Sequence, residues 1–151
     1  SVMTKLTVLL SLALVTLTGC GDDLVDRALD IQADSLDYFC GCSVENGLSA
    51  DRASCERDNP DFAPITGSVR DCYERVLEGT PSADVAAIEC TFDATEAQLS
   101  CVRALGCMPS GTDSEACSDQ FEGAVDACPQ ISELTEAMFG TCIEDDGRPM
   151  M

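Results

Sequence analysis

Cys40-Gly41-Cys42 is where thiol chemistry is densest in this chain of 151 residues and eleven cysteines. Two sulfurs one glycine apart can close a small strained ring, and strained disulfides are the ones that exchange. The competing arrangement pairs each sulfur with a distant segment, as in disulfide-stapled exported domains. A helix ending near Cys40 would not activate the thiol, because a thiolate is favoured at helix N-termini. Cys40, Cys42 and Cys55 could together hold zinc, but in an oxidising compartment the same thiols form disulfides. Other chemistries are excluded by composition. The chain has no His, which removes imidazole acid–base catalysis, His-based triads and His metal ligands. Its one lysine is Lys5, so the body has no Schiff-base or lysine-nucleophile chemistry. Gly-x-Ser-x-Gly, a phosphate-binding loop and a dinucleotide fingerprint are all absent. The densest acidic run, Glu144-Asp145-Asp146-Gly147, lacks the alternating ligands of a calcium loop and reads as a solvated tail. No catalytic residue, metal site or bound cofactor is expected, and the chain reads as a non-enzyme.

The second reactive position is Cys20. Lys5 precedes an unbroken run from Leu6 to Leu17, too short for the ~20 residues of a spanning helix. Leu17-Thr18-Gly19-Cys20 follows at once, with two small residues where a peptidase must reach the backbone. This stretch resembles the export signal of bacterial lipoproteins, a resemblance that covers the residues up to Cys20. It implies diacylglycerol on the Cys20 thiol, cleavage between Gly19 and Cys20, and acylation of the new amino group. The alternative is an ordinary secretory signal with Cys20 unmodified. Met3 is the expected start of translation. Gly21 is not the Asp that retains enterobacterial lipoproteins in the inner membrane, which points to the outer one. The expected organisation is a signal peptide over 1–19, a lipidated tether over 20–22 and a cysteine-rich helical domain over 23–143. An acidic disordered tail over 144–151 completes it. An extended tether of that length reaches roughly 10 Å, so the domain sits close to the lipid surface.

Parity supports the same reading. If lipid consumes Cys20, ten cysteines remain: Cys40, Cys42, Cys55, Cys72, Cys90, Cys101, Cys107, Cys117, Cys128 and Cys142. Outside the cytosol these make up to five disulfides, which matter in a chain with seven aromatic residues and no Trp. From Cys20 onward seven arginines face 28 acidic residues, a formal charge of −21. Nucleic acid is thereby excluded as a partner, since every phosphate is repelled. Anionic head groups repel the domain too, which makes divalent cations natural mediators; the alternative is that the acidity serves solubility alone.

These cysteines must be held by helices, because the hydrophobic period is helical throughout and no stretch alternates like a strand. The first helix is predicted over Asp23 to Cys40, with the stripe Val25, Ala28, Leu29, Leu36, Phe39 and Cys40. Residues 41–67 read as an irregular connection with a turn or two of helix over 50–57. Ser68 with Asp71 is expected to cap a second helix, striped by Val69, Cys72, Tyr73, Val76 and Leu77 and stopped by Gly79. A third begins at Pro81-Ser82, and Asp93 with Glu96 suggests a break before a fourth. Thr112 with Glu115 is expected to cap a fifth, ended by Pro129. The last carries Ile131, Leu134, Met138 and Cys142 on one face. Cys90 to Cys101 and Cys117 to Cys128 share a spacing of eleven residues, close to three full turns, which raises the question of a duplicated hairpin.

The expected fold is therefore all-α, five or six short helices in one disulfide-stapled bundle. Cys107 with Cys117 is the first expected bridge, across the loop between consecutive helices, and Cys42 with Cys55 the second. On the lipobox and the cysteine density, the body resembles small cysteine-rich lipoproteins of unknown function from Gram-negative bacteria. The function this implies is a membrane-anchored envelope protein with a binding or structural role. A divalent-cation-binding surface protein is the alternative, and thiol–disulfide exchange through Cys40 and Cys42 a further one.

Overall fold

A computed structural model describes residues 20–59 and 67–144 of the chain; the signal segment 1–19 and the acidic tail beyond 144 lie outside the described residues. Among the described residues there are six α-helices and no strand. They are α1 (Cys20–Glu45), α2 (Arg52–Asp58), α3 (Gly67–Glu78), α4 (Ser82–Leu105), α5 (Gly111–Asp126) and α6 (Glu133–Glu144). None is long and apolar enough to cross a membrane. The all-α, disulfide-stapled bundle expected from the sequence is the observed architecture.

Helix α1 is the spine. It packs on α2, α3 and α4, while α6 lies against α3 and α5 against α4. It is longer at both ends than the period suggested. Positions 20–22 are its first turn rather than an extended tether. At the other end it continues through Gly41, although glycine inside a helix costs about 1 kcal/mol relative to alanine. The cysteines flanking Gly41 are each anchored to another part of the fold, which holds that turn in place. The true stop is Gly47, whose φ of +70° suits glycine. The amides of Gly47 and Leu48 close back on the carbonyls of Val44 and Ser43, a Schellman ending.

The predicted break at Asp93 does not occur, and α4 is one helix of 24 residues. Asp93 and Glu96 cap nothing; both carboxylates reach across to Arg27 on α1. Helix α5 is capped by Ser110, not Thr112: its Oγ accepts the Asp113 amide and donates to the Asp113 carboxylate. Helix α3 already begins at Gly67, which places Ser68 inside its first turn.

The main core joins buried Leu24, Val25, Leu77 and Ile88, with Tyr73, Phe92, Ile131 and Phe139 packed around them. Tyr73 and Phe139 meet edge to face at 5.3 Å. A second small cluster is Leu36 with the Cys40–Cys55 bridge. Sulfur supplies what aromatic residues do not: Cys40, Cys55, Cys117 and Cys142 are all essentially buried. Two stripe assignments change. Phe39 is 43% exposed and leaves the α1 stripe, and Leu134, at 72%, turns outward while Thr135 beside it is buried.

Candidate functional site

All ten cysteines after position 20 are paired. Helix α1 contributes Cys40 to Cys55 on α2 and Cys42 to Cys107 in the loop after α4. Cys72 on α3 joins Cys142 on α6. Cys90 and Cys101 on α4 join Cys128 and Cys117 respectively. Two expected pairs are therefore corrected: Cys107 does not bond Cys117, and Cys42 does not bond Cys55.

Helical geometry accounts for each correction. Residues two apart on a helix point about 200° apart. Cys40 and Cys42 both lie in α1, so one faces α2 and the other faces the α4–α5 corner, and the small ring is not formed. Cys107 is drawn to Cys42 because Gly106, with φ of +78°, ends α4 and turns the chain toward α1. That corner is held further by the Tyr38 hydroxyl, donating to the Gly106 carbonyl at 3.2 Å, and by Asn46, donating to the Cys107 carbonyl at 3.1 Å. Cys117 lies in the second turn of α5, beside Cys101 near the end of α4. The shared spacing of eleven residues needs no duplication to explain it. Cys117 lies within α5 and Cys128 two residues past its end, so the chain runs antiparallel to α4 between the two bridges and the same spacing is needed on each side.

From Leu24 onward, α1 borders an open cleft of about 340 Å³. Leu24, Val25 and Ala28 form one wall, Tyr73 and Leu77 of α3 another, and Ile88, Thr91 and Phe92 of α4 a third, with Ile131 and Phe139 beyond. The surface is almost wholly carbon. The Thr91 hydroxyl is spent on the Ala87 carbonyl at 3.0 Å. Cys20, the expected lipidation site, is the first residue of α1, one turn before Leu24. Gly19, across the expected cleavage point, lies outside the described residues.

Charge along α1 is arranged rather than scattered. Arg27 sits over the Phe92 ring at 5.7 Å and donates to Asp93 and to both oxygens of Glu96. These hydrogen bonds hold the Glu96 carboxyl below its ordinary range and raise the guanidinium further out of reach of titration. Arg70 on α3 joins Asp26 on α1 with Glu74 of its own helix. Arg103 on α4 pairs with Asp34, and Arg52 on α2 with Asp37. Each of these four arginines thus ties a neighbouring helix to α1. Asp84 is the buried acid. Its carboxylate accepts the Ser132 hydroxyl at 2.5 Å, the Thr135 hydroxyl at 2.6 Å and the Ser132 amide at 3.1 Å. It therefore caps the start of α6 from another helix, and those hydrogen bonds lower its pKa.

Among the described residues no group of three or more His, Cys, Asp or Glu side chains could hold a metal ion. The zinc trio suggested by Cys40, Cys42 and Cys55 is divided between two disulfides. The cleft and the Asp84 cap were not found from sequence. Both join residues far apart in the chain, and their local signals are those of ordinary core and ordinary helix. No protein-family model, curated protein or solved structure matches this chain.

Proposed function

We propose that this chain is a lipid-anchored protein of the bacterial cell envelope, held through Cys20, with a non-enzymatic binding or structural role. The observation that carries the proposal is the pairing: five disulfides use every cysteine after position 20 and leave none for Cys20. A lone cysteine at the end of a Leu-Thr-Gly-Cys stretch then has a use in thioether formation. Five disulfides also suit an oxidising compartment outside the cytosol. Several acyl chains at ~0.8 kcal/mol per buried CH₂ make detachment from a bilayer negligible. With α1 helical from Cys20 onward, the bundle begins directly at the anchor, and its acidic surface faces the aqueous side. Outer-membrane residence is the expected location, on Gly21.

Mass spectrometry of the mature N-terminus tests this. The expected result is a chain beginning at Cys20, carrying a thioether-linked diacylglycerol and an amide-linked acyl group. Cys20→Ser is expected to abolish the lipid and leave the uncleaved precursor. An unmodified N-terminus at another residue would overturn the reading.

A further inference from the structure

We propose that the apolar cleft between α1, α3, α4 and α6 receives one fatty-acyl chain of the protein's own lipid on Cys20, an inference that rests on the lipid-anchor reading above. Position is the first argument. The backbone of Cys20 and that of Leu24 are four residues apart in one continuous helix, about 6 Å along its axis. Anything attached at position 20 begins one turn from the first residue of the cleft wall.

The chemistry of the wall is the second argument. At about 340 Å³ the cleft lies at the small end of ligand pockets, ~300–1,000 Å³. Its lining is aliphatic and aromatic, with the Thr91 hydroxyl already bonded to its own helix. Such a surface fits a hydrocarbon chain and offers nothing to a polar ligand.

The rim charge selects among hydrocarbon ligands. Arg27, which lies over the Phe92 ring of the cleft wall, is already shared between Asp93 and Glu96. A free fatty acid would bring its carboxylate beside those of Asp93 and Glu96, which already occupy the Arg27 guanidinium. A chain esterified through the glyceryl group on Cys20 is neutral, and its tether supplies a high effective concentration that a free lipid lacks. In this arrangement one chain is shielded by protein while the others remain available to the bilayer.

The test labels the anchor in living cells with a diazirine-bearing myristic acid, followed by irradiation of intact membranes and peptide mapping of the protein. The expected result is crosslinking within one molecule, from the lipid on Cys20 to cleft peptides containing Tyr73, Ile88, Phe92 or Phe139. Ala28→Phe and Thr91→Phe, which fill the cleft, should each reduce that crosslink at least tenfold while the mass of the lipidated N-terminus is unchanged. Circular dichroism checks that each variant is folded. Label on Cys20 that reaches only bulk lipid, or crosslinks undiminished in both folded variants, would overturn the cleft assignment and leave the anchor standing. Label in the cleft but not joined to Cys20 would mean a free fatty acid and overturn the proposal. Crosslinks to a second copy would do the same. Absence of lipid from Cys20 by mass would overturn the anchor reading itself.

Discussion

Removing the Cys42–Cys107 bridge by the double substitution Cys42→Ala with Cys107→Ala isolates what a long-range staple does in this fold. Both residues are half-buried, and the corner they join retains the Tyr38 and Asn46 hydrogen bonds, so the native arrangement should survive. The cost should then lie in the unfolded chain. For a sequence separation of 65, the loop-closure relation gives about 4.3 kcal/mol at 25 °C. The Cys40–Cys55 bridge offers a path shorter by about ten residues, which changes that value by only about 0.15 kcal/mol. The same relation gives about 3 kcal/mol for Cys101–Cys117, whose separation is 16. Urea denaturation at neutral pH without reductant, with the four remaining bridges verified by peptide mapping, should therefore show a loss of about 4 kcal/mol. The loss should exceed that of the Cys101→Ala, Cys117→Ala variant, before allowing for the packing lost at buried Cys117. A loss below about 1 kcal/mol would refute the reasoning. So would a change in the native circular dichroism, which would place the effect in the folded state.

Other expectations follow from the same contacts. Asp84→Asn should destabilise the protein at neutral pH. The Asp84 carboxyl has a lowered pKa in the folded state, so its contribution is present above the ordinary carboxylate range and lost as pH falls through the folded value. Thermal unfolding against pH should show variant and parent converging in acid; a gap independent of pH would remove the carboxylate from the account. Arg27→Met breaks the contacts to Asp93 and Glu96 and should cost about 1 kcal/mol at low ionic strength, shrinking in high sodium chloride. Equal loss at both salt concentrations would assign the effect to packing on Phe92. Full reduction should remove most helical circular dichroism at neutral pH, since the core clusters are small and one of them is built on the Cys40–Cys55 bridge; an unchanged cooperative transition would contradict this. Calcium or magnesium should raise stability gradually by relieving self-repulsion, with simple salt reproducing most of the effect. A stoichiometric calorimetric transition at micromolar calcium, insensitive to sodium chloride, would contradict it.

Local information was enough for the helices themselves. The apolar period marked the body of α1 and the segments of α3 to α6, Pro and Gly marked many of the stops, and the density of cysteines outside a large core implied staples. The short α2 and the ends of α1 carried no such period. Boundaries failed where a distant partner changed the balance. Gly41 looks like a stop, yet the helix passes through it because Cys40 and Cys42 are bonded on opposite sides. Asp93 and Glu96 look like a cap, yet Arg27, 66 and 69 residues away, takes both carboxylates.

The sequence by itself determined an all-α chain, rich in cysteine and strongly acidic, with one cysteine placed apart from the other ten. Which sulfur meets which was beyond it, because a disulfide depends on the direction each cysteine faces and on which helices become neighbours. Those are properties of packing, not of spacing. Only the tertiary structure revealed that α4 is bridged twice to the antiparallel segment 117–128 and that α1 ties its neighbours through four arginines. Only there, too, do Leu24, Tyr73, Ile88, Phe92 and Phe139 line one cleft. Each of those residues, read alone, is an ordinary apolar position on a helix. The cleft exists because four helices meet at the start of α1 without closing over it.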